Sequence, residues 1–458
     1  MEDRNLNIKS VNKFESMLKT NSFLFFDSNE FEEIITYYLD TGNISLAKKA
    51  SKLAWEQYPY STSLNLMIVE ISILENNLKK AETINNKLHQ LEPLNSEILF
   101  QKSKILSKKK KHLESIQCLK KIEKNSDLYY ESLLMIGKEY LFMDDFKSAK
   151  DTFMNCLKIN GNDLLIINNL LFCLDSIGNI EETIDFLNNF LESNPYCEIC
   201  WHHLGKQYIK VRDYKKALVA FEYAVICDES FEGAYIEMGK LFEKSKKINS
   251  AIEKYEMSIS VSGPNSYSLY RIGRCYEKLF NQKLAKKYFS KVVEIDPLHS
   301  KAWMKISEYF FNEKKYSISK EFILKAIDID PDKKKFWELF LKISIQINSK
   351  SEIKLAIDKI IKIEKQQIDS IIHLTNFLIG LDKTHVSEIL KSKILKISTK
   401  TKNHELKYLL SVLSFKLENK SEALEYLKIA YSNYPEKFNF YRKKFKDIPA
   451  LETFINIS

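Results

Sequence analysis

The stretch NPYCEICWHHLGKQY, residues 194–208, concentrates more groups capable of chemistry than its surroundings do. Cys197 and Cys200 stand three apart, and His202 and His203 follow at once. Thiolate sulfur and imidazole nitrogen together suit zinc, while a C-x-x-C pair alone suits thiol–disulfide exchange. Each chemistry makes a demand on the rest of the chain. A structural zinc site takes four ligands, and no second C-x-x-C completes the set. A thioredoxin-like dithiol belongs beside a βαβ pattern, which is missing here. No P-loop, Gly-rich dinucleotide loop, GxSxG or HExxH appears elsewhere, so no catalytic constellation is expected. What the four residues do therefore depends on the elements that hold them.

Those elements are to be sought in a chain of 458 residues with few glycines (10) and prolines (8), a composition that disfavours turn-rich β folds and unstructured linkers. No apolar run approaches the length of a membrane span or of a signal-peptide core, so a cytoplasmic protein without membrane insertion is expected. The formal charge of +9 raises the question of nucleic acid. Of the 70 basic residues, however, only Arg4, Arg212, Arg271, Arg274 and Arg442 are arginine, the better reader of phosphates and bases. Lysine, asparagine and isoleucine share AT-rich codons, which accounts for much of the charge. Nucleic acid is thus a disfavoured partner.

Small residues followed by an aromatic three later recur at Gly137/Tyr140, Gly205/Tyr208, Gly239/Phe242 and Gly273/Tyr276, and the last three glycines lie 34 apart. A fixed period of this length is the mark of a repeat array. The frame gives ten units from 28 to 367 without an insertion. In 198–231, Trp201, Leu204, Gly205 and Tyr208 form one helical stripe, and Ala217, Phe221 and Ala224 a second. Each unit is therefore a pair of helices joined near its fifteenth position, where Gly42 and Gly178 fall. Pro59, Pro93, Pro195, Pro297 and Pro331 close their units at position 32, where proline stops one pair before the next begins.

With these positions filled, the sequence resembles the tetratricopeptide repeat family, in the manner of long bacterial-type arrays. Units 198–231 and 266–299 carry the resemblance best, the latter through Leu269, Ile272, Gly273, Tyr276, Ala285, Phe289, Val292 and Pro297. The fold this implies is all-α: a right-handed superhelical α-α solenoid of about 11–12 helix pairs with helical caps, each pair burying its stripe on its neighbours. Residues 1–27, with Phe14, Met17, Leu18 and Phe23, are expected to cap one end. The ten repeats of 28–367 follow, then a degenerate helical repeat at 368–403 that keeps Ile371, Leu374 and Leu378. A further repeat spans 404–437, and 438–458 caps the other end through Phe445, Leu451 and Phe454.

The resemblance also places the opening residues. Cys200, Cys173, Cys275, Cys156 and Cys227 occupy slots that the family fills with Ala or Leu, so they read as packing residues, with no metal and no cofactor. His202 takes a position that faces the family's concave groove, close enough to Cys197 and Cys200 to leave a metal or thiol redox role as a lesser alternative. At groove positions stand Lys138, His202, Lys206, Lys210, Lys240, Lys244, Tyr270, Arg274, Lys278, Lys301 and Lys305. Every ninth and thirteenth residue of the units in 198–299 is basic, a double row suited to an acidic segment of a partner protein, although Glu243 and Glu277 partly offset it. Lys301 and Lys305 match one part of the clamp that some of these repeats use for chaperone C-termini. The asparagines of that clamp are absent, so it is not expected. The reading is a non-enzymatic interaction scaffold or adaptor binding a protein or peptide. An RNA-binding helical repeat is the alternative, and the oligomeric state is left open.

Overall fold

Several of the stretches whose apolar residues recur at helical spacing open on a polar residue that caps the helix. Asp27, Ser61, Asn95, Asp163 and Asn265 each accept a hydrogen bond from a backbone amide of the helix that follows, and Asp27 and Glu30 form a reciprocal capping box. In the computed structural model, which describes residues 2–20, 24–161, 163–363, 367–379 and 384–445, these five residues each open the first helix of a pair. Among the described residues there are 26 α-helices, two short 3-10 turns and no strand. None of the helices is long and apolar enough to cross a membrane.

The chain divides into two compact units, 1–220 and 221–458, with the boundary inside the helix Tyr214–Cys227. The first unit opens with the helix Glu2–Thr20, whose Phe14 and Met17 are buried against Phe31, Ile34 and Tyr38 of the next helix. Leu18 is exposed, and Phe23 lies outside the described residues. Helix pairs follow in order, from Ser28–Asp40 with Ile44–Gln57 to Leu164–Ile177 with Ile180–Ser193, and then Glu198–Lys210. In the second unit the pairs run from Glu232–Lys244 with Ile248–Ser262 to Lys407–Lys416 with Lys420–Asn433. The helix Phe438–Lys444 packs Phe438, Tyr441 and the adjacent Phe445 onto the last pair, while Leu451 and Phe454 lie outside the described residues. Consecutive helices pack on each other, so each unit is a stack in which one pair's apolar stripe is covered by the next.

Two local devices set the spacing within a pair. The first is the turn between its helices. Gly42 and Gly178 have positive φ, and so do Asn76, Lys110, Asp144, Arg212, Lys246, Phe280, Lys314 and Asn348, all at the same position of their repeats. The left-handed residue ends the first helix and reverses the chain within three residues. The second device is a glycine facing a ring. A Cβ placed on Gly137 would come within 2.5 Å of Phe153, one on Gly239 within 2.7 Å of Tyr255, and one on Gly273 within 2.7 Å of Phe289. The small residue is thus the footprint of an aromatic on the second helix of its own pair.

The segment that the sequence reads as degenerate is helical too, as Gln367–Ile379 and Thr384–Thr401. Ile371 and Leu374 are buried in it beside Val386, Leu390 and Ile394, while nothing is described of the Leu378 side chain.

Candidate functional site

Some first helices of neighbouring pairs touch directly, as Thr62–Leu74 does with Ser28–Asp40 and with Ser96–Lys108, which brings their matching positions side by side. In the first unit Lys104 of Ser96–Lys108 reaches back 34 residues to Glu70, at 2.9 Å. Farther along, Lys210 Nζ lies 2.8 Å from Asp175 Oδ1. Gln207 Nε2 donates to the same oxygen at 2.9 Å and lies 2.9 Å from His203 Nε2. Burial lowers the His203 pKa more than nearby Asp175 raises it, which favours the uncharged ring. Burial works against the Asp175 charge, but Lys210 and Gln207 outweigh it and keep the carboxyl below its ordinary range.

Of the groove residues expected from the sequence in this unit, Lys138 and Lys206 are exposed, and Lys210 is exposed but paired. His202 is half-buried, whereas its neighbour His203 is buried and belongs to the Asp175–Gln207 network. The sequence shows two adjacent histidines, and only the helical phase decides which one turns inward. A cleft of about 250 Å³ lies on this face among Glu70, Ile73, Lys104, Lys108 and Met135.

In the second unit the expected basic residues stand among carboxylates. Lys240 pairs with Glu237 at 2.8 Å and sits over the Tyr267 ring; burial opposes its charge, but Glu237 and Tyr267 prevail and raise its pKa. Arg274 pairs with Glu277 at 3.0 Å. Lys305 lies 2.7 Å from Glu308 and 3.2 Å from Glu277, and these carboxylates likewise overcome its burial and raise its pKa. Lys278 pairs with Glu243 at 2.6 Å. Tyr270 packs its ring against Phe289 and His299. Lys244 and Lys301 are exposed.

Glu243 is the residue whose part the sequence conveyed least. Its side chain is only 6% exposed, and it takes Lys278 Nζ and Arg271 Nη2 at 2.6 Å each, with the Tyr255 hydroxyl donating at 2.9 Å. Burial alone would raise its pKa, but Lys278, Arg271 and Tyr255 together hold the carboxyl below its usual range. The same offset recurs: an acid twelfth in one repeat meets the lysine thirteenth in the next, as Asp175 with Lys210 and Glu243 with Lys278. The sequence shows both acids; their partners are legible only once neighbouring first helices are seen to lie side by side.

Among the cysteines, Cys118, Cys156, Cys173, Cys200 and Cys275 are buried, while Cys197 and Cys227 are half-buried. The packing reading thus fits Cys200 and its buried counterparts, adds Cys118, and fits Cys227 less well. Among the described residues no three His, Cys, Asp or Glu side chains are grouped to hold a metal ion.

The tetratricopeptide repeat family model matches residues 130–163, 266–297 and 300–333, and those segments are tetratricopeptide repeats. Among solved structures, the chain is similar to YrrB, described as a TPR protein with an unusual peptide-binding site (18% identity, 40% of this chain and 95% of that one, TM-score 0.34). It is also similar to a chain of the Cut9–Hcn1 hetero-tetramer of the APC/C (11% identity, 97% and 94% covered, TM-score 0.36). A third is a tetratricopeptide repeat protein from Parabacteroides merdae (15% identity, 54% and 98% covered, TM-score 0.33). No curated protein matches the chain.

Proposed function

We propose that this tetratricopeptide-repeat protein is a non-enzymatic scaffold that lays an acidic segment of a partner protein along the first helices of its first unit. The observation that carries the reading is the alignment of those helices. Lys138 and Lys206 stand exposed at equivalent positions two repeats apart, on helices held by packing and by ion pairs rather than by the partner. A partner meeting such a surface spends little free energy ordering the scaffold. Carboxylates already engage Lys210 in this unit, and Lys240, Arg274, Lys278 and Lys305 in the second. In the first unit Lys138 and Lys206 are left to meet the partner's acids. A cytoplasmic location goes with this reading.

The test is affinity purification with mass spectrometry, comparing the wild-type chain with a Lys138→Glu, Lys206→Glu double variant. The expected result is a partner lost from the variant and weakened in the wild type as salt rises. An unchanged set of partners would remove the first-helix row as the interface. Salt-steep binding of single-stranded RNA, lost in the same variant, would replace the protein partner by RNA.

A further inference from the structure

In several first helices the N-cap residue accepts a hydrogen bond at the positive end of the helix, as Ser61, Asn95, Asp163 and Asn265 do. At the start of Glu198–Lys210 the N-cap is Cys197. Cys200 stands one turn later, and three residues along a helix put two Cα atoms about 5 Å apart. Disulfides span about 4.4–6.8 Å between Cα atoms, so the pair can close without unwinding the turn. The two thiols differ in access. Cys200 is 1% exposed in the core with Leu187, Leu191 and Leu204. Cys197 lines an open cleft of about 330 Å³ with Leu164, Phe190 and the exposed Tyr196, room enough for a small thiol compound.

We infer that Cys197 and Cys200 form a redox-active dithiol that exchanges with a low-molecular-weight disulfide entering this cleft. The Cys197 thiolate attacks one sulfur of R–S–S–R, forming a mixed disulfide and releasing one thiolate RS⁻. Cys200 then gives up its proton and attacks the Cys197 sulfur, closing the intrachain disulfide and releasing the second RS⁻. Two protein thiols are oxidised, one small disulfide is reduced to two thiols, and the two protons lost from the protein are taken up by the released RS⁻ groups. The roles follow from the surroundings. The Cys200 thiol, then the backbone amides of Cys200 and Ile199, hold Cys197 below the usual thiol range against its burial and the charge of Glu198, whereas the Cys197 sulfur and burial push Cys200 up. The accessible sulfur is thus the attacking one and the buried sulfur resolves the intermediate.

The test uses the full chain, equilibrated in buffers of graded oxidised to reduced glutathione, quenched in acid and mapped by mass spectrometry. A Cys197–Cys200 disulfide is expected to accumulate as the buffer becomes oxidising, while Cys156, Cys173 and Cys275 stay thiols. Cys200→Ser is expected to raise the glutathione adduct on Cys197 at least about tenfold over wild type, because nothing resolves it. Two results would overturn the inference. One is that both thiols persist at a poise that oxidises a free peptide of the same sequence. The other is a stable glutathione adduct on wild-type Cys197. The wild-type map decides by itself should the serine variant fail to fold.

Discussion

Replacing Glu243 by alanine removes one carboxylate and leaves three donors facing one another. The side chain is almost fully enclosed, but its partners are less so: Arg271 is 31% exposed and Lys278 43%. Breaking a fully buried ion pair costs about 3–5 kcal/mol, mostly for the charge left behind. Here Lys278 can swing into water, while Arg271 stays near the buried Tyr255 hydroxyl, 3.2 Å from its Nε. The expected cost is therefore lower, about 2–3 kcal/mol, carried mainly by Arg271 and Tyr255. Stacked repeats need not unfold as one unit, so a single melting temperature is the wrong measure. Hydrogen exchange read separately over Ile248–Ser262 and Ser266–Lys278 is the right one, with the first unit as internal control. The folded-state pKa of Glu243 is depressed, so its contribution is full above the unfolded carboxyl value and is lost as pH falls through the folded value. Wild type should lose protection in these two helices on acidification below about pH 4.5, and the alanine variant should lose less of it. A cost under about 0.5 kcal/mol, or a pH response unchanged by the substitution, would refute the argument that the three partners outweigh burial.

Two further outcomes follow from the backbone devices. Gly273→Ala drives a Cβ against Phe289, whose ring is 2% exposed and has nowhere to go, so destabilisation of about 1–3 kcal/mol is expected by hydrogen exchange over Ser266–Lys278 and Gln282–Ile295. Adding Phe289→Leu should recover part of it, a less-than-additive double variant. Phe280→Gly should stabilise the second unit by about 0.5–1 kcal/mol, because Phe280 holds φ at 58° while 91% exposed and gains little packing for that strain.

The parts legible in the sequence are those in which one residue type has one physical reason to be there. Gly273 is readable because only a residue without Cβ fits beside Phe289, and Gly178 because its φ is positive. The same turn in other repeats is not readable: Arg212, Phe280 and Lys314 adopt that φ without any sequence signal, under the pull of two helices that must pack. The candidate site was legible as a list of basic positions but not as a field. A lysine row looks the same in sequence whether its charges are open, like Lys206, or already engaged, like Lys278. Nor does the C-x-x-C spacing reveal that Cys197 opens a helix and borders a cleft while Cys200 is sealed beneath it.

The fixed offset that joins Asp175 to Lys210 and Glu243 to Lys278 bears on how such a chain tolerates insertion and deletion. Each bond reaches only to the adjoining repeat. Removing or duplicating a whole 34-residue block would present every acid with a new neighbour in the old register. Loss of a single residue inside a first helix is another matter. It would turn every later side chain of that helix by about 100°, carrying a lysine out of line with its carboxylate and an apolar stripe out of its seam. The array can thus change length by repeats far more readily than by residues.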